Sequence, residues 1–338
     1  MRRPTLFALS LLLLSQHALA FDQALFMKTF FSVVLVRGYD DNGGLAYGTG
    51  VVVGKNQVAT DCHVLRRTAK AWVSQGDDSY PLVSVQADVF HDVCLMNVDP
   101  LPAEPVPMRN TSTLSKGEEV MSMGHSDGRG LQSAGGEVKS LYPFDGGNVI
   151  RTNARFTLGA SGSPLFDEQG RLVGLNTFKT PGSNAYFYAI PVEWIINLQK
   201  QPAQAVLPIT GQAFWELPDL DKPFFMQMAL PHLNGDFTKL LEVSQRWVKA
   251  EPTNAEAWYE LGTAQEGLGQ QDDAQKSYNS ALTLNPRHAE SLYRVGVFAA
   301  RRGDQTEVNK ISTALAGIDS QLSDDFNKAV GCDKTLTC

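Results

Sequence analysis

The sequence predicts two domains: an all-β domain built as a double six-stranded barrel, followed by an all-α module of helical repeats. Short apolar or alternating segments recur from Thr29 to Pro191 and are separated by Gly, Asn, Asp and Pro. Many short strands at this spacing are typical of a sandwich or barrel. The proline-rich stretch Pro100–Pro107 divides them into two groups of about six, which favours two barrels. After Asp219 the pattern changes to a repeat.

The predicted strands follow the apolar segments directly. In order they are 30–37, 47–53, 57–60, 70–74, 82–86, 93–98, 119–123, 136–141, 148–152, 164–166, 172–177 and 186–190. A helix at 192–200 is expected to close the β domain. The domain boundaries predicted from these patterns are a signal peptide at 1–20, the β domain at 21–200, a linker at 201–218, repeats at 219–322 and a tail at 323–338.

The repeat is defined by glycines. Gly235, Gly269 and Gly303 are 34 residues apart, and Pro252 and Pro286 have the same separation. The clearest unit runs over 254–286 and carries Trp258, Leu261, Gly262, Ala274, Tyr278, Ala281 and Pro286. This unit resembles the tetratricopeptide family, whose period is about 34 residues. The resemblance implies stacked helix pairs with aromatic residues in the core, and a concave groove able to receive a peptide partner.

Composition limits the classes of function. The chain has 338 residues, 43% of them hydrophobic, and a net charge of −7. These values fit a globular protein with two cores. An acidic balance argues against a nucleic-acid partner, because such proteins usually present a basic face.

The N-terminus has the pattern of a secretory signal peptide. Arg2 and Arg3 precede an apolar run over 6–14, and Ala18-Leu19-Ala20 ends the segment. The alternative is a membrane anchor, but this run is far shorter than the roughly 20 residues that span a bilayer. We therefore expect cleavage before Phe21, no membrane span, and a periplasmic or secreted mature protein.

Three short motifs carry chemistry. Ser161 lies in a tight turn, Gly159-Ala160-Ser161-Gly162, and flanking glycines let a substrate carbonyl approach backbone N–H groups. Upstream, His63 follows the apolar strand at 57–60, and Asp92 opens the strand at 93–98. The chain order His, Asp, Ser differs from the Ser, Asp, His order of α/β-hydrolases.

Together the motifs resemble bacterial trypsin-like serine peptidases of the high-temperature-requirement kind, over residues 28–198. In that family Thr-Asn-x-His-Val, Asp-Ile-Ala-Leu-Leu and Gly-Asn-Ser-Gly-Gly recur. The resemblance implies that His63 is the general base, Asp92 its orienting carboxylate and Ser161 the nucleophile. It also implies an oxyanion hole formed by the backbone N–H groups of Gly159 and Ser161. Each barrel would contribute part of a site in the groove between them.

The resemblance also suggests a substrate pocket. Its predicted lining, for the side chain before the scissile bond, is Arg155, Thr157, Thr177, Phe178 and Lys179. Two cationic residues there favour an acidic or polar side chain by charge complementarity. The alternative is that both long side chains point to solvent.

Other residues compete for the catalytic roles. Asp88 and Asp99 flank the Asp92 strand, but neither opens it as the family pattern requires. Alternation turns His91 to the opposite side from Asp92. His125 lies in a glycine-rich loop, which is more typical of a connector.

Four cysteines have meaning in an oxidising compartment. Cys62 and Cys94 adjoin His63 and Asp92, so a Cys62–Cys94 disulfide is expected if the triad assembles. It would stabilise the chain by about 3–4 kcal/mol through a loop of roughly 33 residues. Two buried free thiols are the alternative. Cys332 and Cys338 are expected to pair at the C-terminus.

These observations predict a secreted or periplasmic serine endopeptidase whose repeats recruit a protein or peptide substrate or a peptide partner. No metal is expected, since cysteine and histidine ligand spacings are absent, and no organic cofactor is implied. The alternative is a catalytically inactive adaptor that uses a protease fold as a scaffold.

Overall fold

The computed structural model describes residues 27, 29–40, 42–66, 68, 70–126, 130–203 and 209–331. In this part of the chain, two closed six-stranded barrels precede a helical module, which confirms the predicted fold class. The predicted signal peptide and the Cys332–Cys338 pair lie outside the described residues. None of the described helices is both long and apolar enough to cross a membrane.

The first barrel is antiparallel and rich in valine. Its strands are β1 (Val33–Tyr39), β2 (Leu45–Gly54), β3 (Gln57–Asp61), β4 (Lys70–Gln75), β5 (Asp78–Asp88) and β6 (Val93–Val98). They pair in the order β1-β2-β3-β6-β5-β4, and β4 closes onto β1. Val34, Val36, Val58 and Val73 fill its interior because β-branched side chains suit a pleated, buried surface. A four-residue helix, α1 (Cys62–Leu65), follows β3.

The second barrel has the same closed form. Its strands are β7 (Glu119–Gly124), β8 (Gln132–Phe144), β9 (Gly147–Thr152), β10 (Ser163–Asp167), β11 (Leu172–Lys179) and β12 (Phe187–Pro191). They pair in the order β10-β11-β12-β9-β8-β7, with β7 returning to β10. Helix α2 (Val192–Leu198) follows. One apolar cluster joins Val51 and Leu95 of the first barrel to Met121 and Leu175 of the second, so the barrels pack together.

Seven helices form the repeats. They are α3 (Phe224–Asn234), α4 (Phe237–Ala250), α5 (Ala255–Gly267), α6 (Gln271–Leu284), α7 (Ala289–Arg301), α8 (Gln305–Ala316) and α9 (Ser320–Ala329). The periodic glycines Gly235, Gly269 and Gly303 have φ of 64°, 77° and 76°. Each follows the first helix of a pair, where a left-handed residue ends a helix at least cost when it is glycine. The 34-residue spacing is therefore a repeated turn.

Of the two aromatic residues expected in the core of the clearest repeat, Tyr278 is fully buried and Trp258 is only half-buried. A Cβ at Gly262 would lie 2.6 Å from the Tyr278 ring, which accounts for glycine there. The Nε1 of Trp258 donates to the Pro252 carbonyl at 2.9 Å. Helix α9 begins before the predicted tail boundary and buries Phe326.

The helical module packs against the second barrel. The ring of Phe225 on α3 stacks on Tyr142 of β8, with centroids 4.6 Å apart and planes at 11°. Lys116, in the segment that connects β6 of the first barrel to β7 of the second, forms an ion pair with Glu290 on α7. Residues of α3, α5 and α7, the first helix of each pair, line a cavity of about 210 Å³ together with β8, β9 and β12. This helical face is therefore turned toward the barrel.

Candidate active site

A hydrogen-bonded pair, His63 and Asp92, lies at the edge of the first barrel. Asp92 has φ of 59° in the turn before β6, and its side chain is fully buried. Its Oδ1 accepts from the backbone N–H of His63 at 2.8 Å, and Oδ2 lies 2.7 Å from His63 Nδ1. A carboxylate held in this way fixes the Nδ1–H tautomer and leaves Nε2 as the proton acceptor. His63 itself lies in α1, two residues beyond the end of β3.

A disulfide holds the two elements that carry this pair. Cys62, next to His63, is bonded to Cys94 of β6, with Cα atoms 4.9 Å apart. The backbone N–H of Cys62 also donates to the Asp92 carbonyl at 3.1 Å. The base and its carboxylate are thus joined by a covalent bond and by main-chain pairing.

The serine turn of the second barrel is packed onto the end of β3. The Ser161 carbonyl accepts from the Thr49 N–H at 2.8 Å. Gly162 has φ of 77°, and a Cβ there would lie 2.4 Å from the Thr60 hydroxyl and 2.8 Å from the Asp61 nitrogen. Only glycine permits so close an approach. The turn therefore contacts Asp61, which precedes His63 by two residues, across the boundary between the barrels.

Two N–H groups of this turn have no acceptor. Among the described residues, the N–H groups of Gly159 and Ser161 make no hydrogen bond, whereas Ala160 donates to Thr157 and Gly162 to Asn176. The Ser161 hydroxyl likewise has no hydrogen-bond partner in the described chain, and so none in His63. Such contacts are often loose before substrate binds. The free amides are available to a substrate oxygen.

A second carboxylate, Asp61, lies beside the pair and was not anticipated. It is fully buried, and its Oδ1 accepts from the Thr177 hydroxyl at 2.9 Å. Its Oδ2 lies 3.9 Å from His63 Nδ1 and has no hydrogen-bond partner in the part of the chain that the structure describes. Burial, with the nearby Asp92 charge, raises the pKa of Asp61 well above its usual value. Its place two residues before His63 was the available signal.

The electrostatics of the site favour a protonated imidazole. Burial opposes the charge on His63, but the charge and hydrogen bond of Asp92 outweigh it and raise the pKa of His63 to about 9. The side chain retains 23% exposure, so solvent can still reach it.

Trp215 is a second residue of the site that the sequence analysis missed. It lies in the predicted linker, yet its Nε1–H donates to Asp92 Oδ2 at 2.9 Å. Its ring packs edge-on against His63, with centroids 5.5 Å apart. The neighbouring Glu216 forms an ion pair with Arg66, just after α1, at 2.6 Å. Phe214-Trp215, two large aromatic residues in a proline-containing linker, indicated burial but not a contact with the site.

Comparison with known protein families agrees with this geometry. A trypsin-like peptidase domain model matches residues 48–175, and a tetratricopeptide repeat model matches residues 255–288. The chain carries a trypsin-like peptidase domain followed by tetratricopeptide repeats. The first match contains His63, Asp92 and Ser161, and the second coincides with the clearest repeat.

Individual relatives match about half of this chain at modest identity. Anti-sigma-I factor RsgI9 of Acetivibrio thermocellus is 26% identical over 174 residues, 50% of this chain and 24% of that protein. The probable periplasmic serine endoprotease DegP-like of Buchnera aphidicola is 27% identical over 168 residues, 46% of this chain and 36% of its own length. Mitochondrial serine protease HTRA2 of Bos taurus is 27% identical over 161 residues, with 44% and 34% covered. The chain thus spans about a quarter to a third of these relatives.

A solved structure shares the fold. The active form of the Rv3671c protease from M. tuberculosis has a TM-score of 0.51 and 21% identity, and the match covers 56% of this chain and 88% of that chain. At this identity the likeness bears on the fold alone.

Residues expected to line the substrate pocket of the peptidase domain have different surroundings. Arg155 and Thr157 are exposed, and so is Lys179. Thr177 is buried and its hydroxyl bonds to Asp61. Phe178 is buried and stacks on Trp215, with centroids 5.7 Å apart.

Rival residues of the peptidase domain have partners elsewhere. Asp88 Oδ2 lies 2.7 Å from His91 Nδ1, and His91 Nε2 lies 2.9 Å from Asp145. Asp99 accepts from the Asn56 side chain at 2.7 Å.

Only one cluster in the described chain could hold a metal ion. Asp61, His63 and Asp92 offer ligand atoms within 4.8 Å of one another. A cation there would have to displace the proton between His63 Nδ1 and Asp92, so it would compete with the hydrogen-bonded pair.

Proposed function

We propose that this chain is a serine endopeptidase in which Ser161, His63 and Asp92 act as the catalytic triad. The observation that carries the proposal is the double hydrogen bond of buried Asp92 to the backbone and Nδ1 of His63. That arrangement orients the His63 imidazole. The turn that carries Ser161 packs against Asp61, two residues before His63.

The mechanism follows from this geometry. His63 Nε2 takes the hydroxyl proton as Ser161 Oγ bonds to the substrate carbonyl carbon, and Asp92 stabilises the imidazolium. The free N–H groups of Gly159 and Ser161 stabilise the oxyanion; losing one such donor costs about 10²–10³ in rate in well-studied enzymes. His63 then protonates the departing amine, and water attacks the acyl-enzyme with the same base.

We further propose that the protein is exported to the periplasm or secreted. Support comes from the N-terminal basic and apolar pattern, from the disulfide, and from relatives whose names include "periplasmic". Disulfides persist in such oxidising compartments.

A fluorophosphonate probe tests the activity because it reacts only with an activated serine. The full chain is expected to be labelled at Ser161, Ser161→Ala to remain unlabelled, and His63→Ala to react far more slowly. Folded wild-type protein that resists labelling at pH values up to 10 would exclude the triad and favour an inactive scaffold.

A further inference from the structure

A cavity of about 340 Å³ separates the peptidase domain from the first repeat. One wall comes from the end of β11 and from Trp215, and the other from α3 and α4. Trp215 lines this cavity and also contacts His63 edge-on, so a single side chain separates the cavity from the His63 imidazole.

The floor of the cavity is apolar. Phe178, Tyr188 and Val243 are buried there. Leu220 and Leu230 also line it, but they are 69% and 40% exposed. Large apolar side chains left open to solvent around a cavity mark a ligand site more often than a bare surface.

The rim is cationic in a protein whose net charge is −7. Lys179, Lys222, Lys239 and Arg246 line the cavity, against the single carboxylate of Asp219. Lys222 pairs with that carboxylate at 2.8 Å, and Lys239 pairs with Glu242 on its own helix at 2.7 Å. Lys179 has no ion-pair partner among the described residues, so the rim keeps an excess of positive charge.

Arg246 keeps unused hydrogen-bonding capacity. It donates to Gln227 at 2.6 Å and lies 5.9 Å from the Phe224 ring, but its Nε is buried and has no hydrogen-bond partner among the described residues. A guanidinium held in this way favours a carboxylate, which can accept two of its N–H groups.

We infer that this cavity binds a stretch of the substrate polypeptide that combines apolar and acidic side chains. The first repeat would then form one wall of the substrate-binding site. This inference rests on the proposed function.

Binding is measured first, since it needs no catalysis. Fluorescein-labelled decapeptides of alternating Leu and Glu, Leu and Lys, or Ser and Glu are titrated into the full-length Ser161→Ala chain by fluorescence polarisation. The Leu-Glu peptide is expected to bind most tightly, and its affinity to fall as salt is added. Equal binding of the three peptides, or binding of none, would overturn the inference.

Charge variants locate the site. Lys239→Glu/Arg246→Gln should weaken Leu-Glu binding about tenfold. The matched control is Lys276→Glu/Arg302→Gln, because Lys276 has the same i,i+3 acidic pairing as Lys239 and Arg302 the same glutamine contact as Arg246. Leu220→Glu, at an exposed position, should also weaken binding without affecting folding. Equal effects of the first variant and its control would overturn the assignment.

Cleavage of a peptide library separates this inference from the proposed function. The wild-type chain should favour acidic and apolar residues near the cleaved bond, and the Lys239/Arg246 variant, but not its matched control, should lose that preference. Cleavage without the preference would refute the cavity and leave the activity intact. Peptide binding with no cleavage of any kind would refute the activity, and with it the substrate assignment. A Leu-Glu peptide that accelerates casein cleavage but is not cut would identify an effector, which also overturns it.

Discussion

Asp92 accepts three hydrogen bonds, two from His63 and one from Trp215. The carboxylate therefore fixes the imidazole in position, and the Trp215 indole, which donates to the same oxygen Oδ2, fixes the carboxylate. Hydrogen bonds to a charged group are worth about 1.5–3 kcal/mol each. The linker tryptophan thus belongs with the positioning residues of the site.

The high pKa of His63 predicts an alkaline activity profile. In the proposed mechanism His63 has to be neutral to accept the serine proton, and a pKa of about 9 means that it is mostly protonated at pH 7. The rate of peptide cleavage, as kcat/KM, is expected to rise with pH and to level off above about 9. Measurement from pH 6 to 10 tests this, with unfolding monitored in parallel. A profile that levels near the ordinary histidine value of 6.5 would show that Asp92 does not stabilise the charged ring.

Replacement of Trp215 by phenylalanine removes the indole donor and keeps an aromatic ring. Trp215→Phe is expected to lower kcat about ten- to a hundredfold with little change in KM. With one donor fewer, Asp92 should also raise the pKa of His63 further and move the activity profile to higher pH. Trp258→Phe is the control, since that indole donates to a backbone carbonyl within the repeats. Equal losses in the two variants would contradict a positioning role.

Strand β6 and helix α1 act as one unit at the scale of elements. Asp92 precedes the strand, His63 lies on the helix, and Cys62–Cys94 joins them. The pairing of β3 with β6 also continues to this end of the strands, where Thr60 lies opposite Cys94 and Asp61 opposite Val93.

Loss of the disulfide should affect stability and activity together. Cys62→Ser/Cys94→Ser is expected to lower the free energy of unfolding by about 3–4 kcal/mol, because the reduced chain regains loop entropy. Thermal melts and fluorophosphonate labelling of this variant test it, beside Cys332→Ser/Cys338→Ser as the control. Unchanged labelling would mean that main-chain pairing alone aligns His63 with Asp92.

The elements were predictable where the code is local. Alternating valines such as Val34 and Val36, bounded by Gly, Asn, Asp and Pro, mark each strand by periodicity of two. His63, Asp92 and Ser161 could be selected because a family pattern surrounds each of them. Trp215 could not, since 123 positions separate it from its acceptor and nothing near it signals a catalytic contact. Asp61 was close in sequence, but its burial depends on the turn at Gly162 from the other barrel.

At the scale of the whole molecule, the second barrel and the first repeat pack against each other through aromatic side chains. Phe225 packs there against Tyr142, and Tyr188 lies close by. The linker that carries Trp215 ends shortly before this helix.

Disruption of that contact should therefore reach the active site. Phe225→Ala is expected to cost about 3 kcal/mol, to speed cleavage of the linker by an added protease, and to slow labelling of Ser161. Phe326→Ala removes an equally buried ring at the far end of the repeats and should leave the linker protected. Limited proteolysis with mass mapping, followed by labelling rates, measures both effects. Rapid labelling despite an accessible linker would show that the two domains work independently.

The position of Trp215 limits how such a protein can be rebuilt. A graft that exchanges the helices for another adaptor, and cuts at the apparent domain border near residue 200, would also remove the indole that donates to Asp92. A chimera that is meant to keep this hydrogen bond has to retain the segment through residue 217.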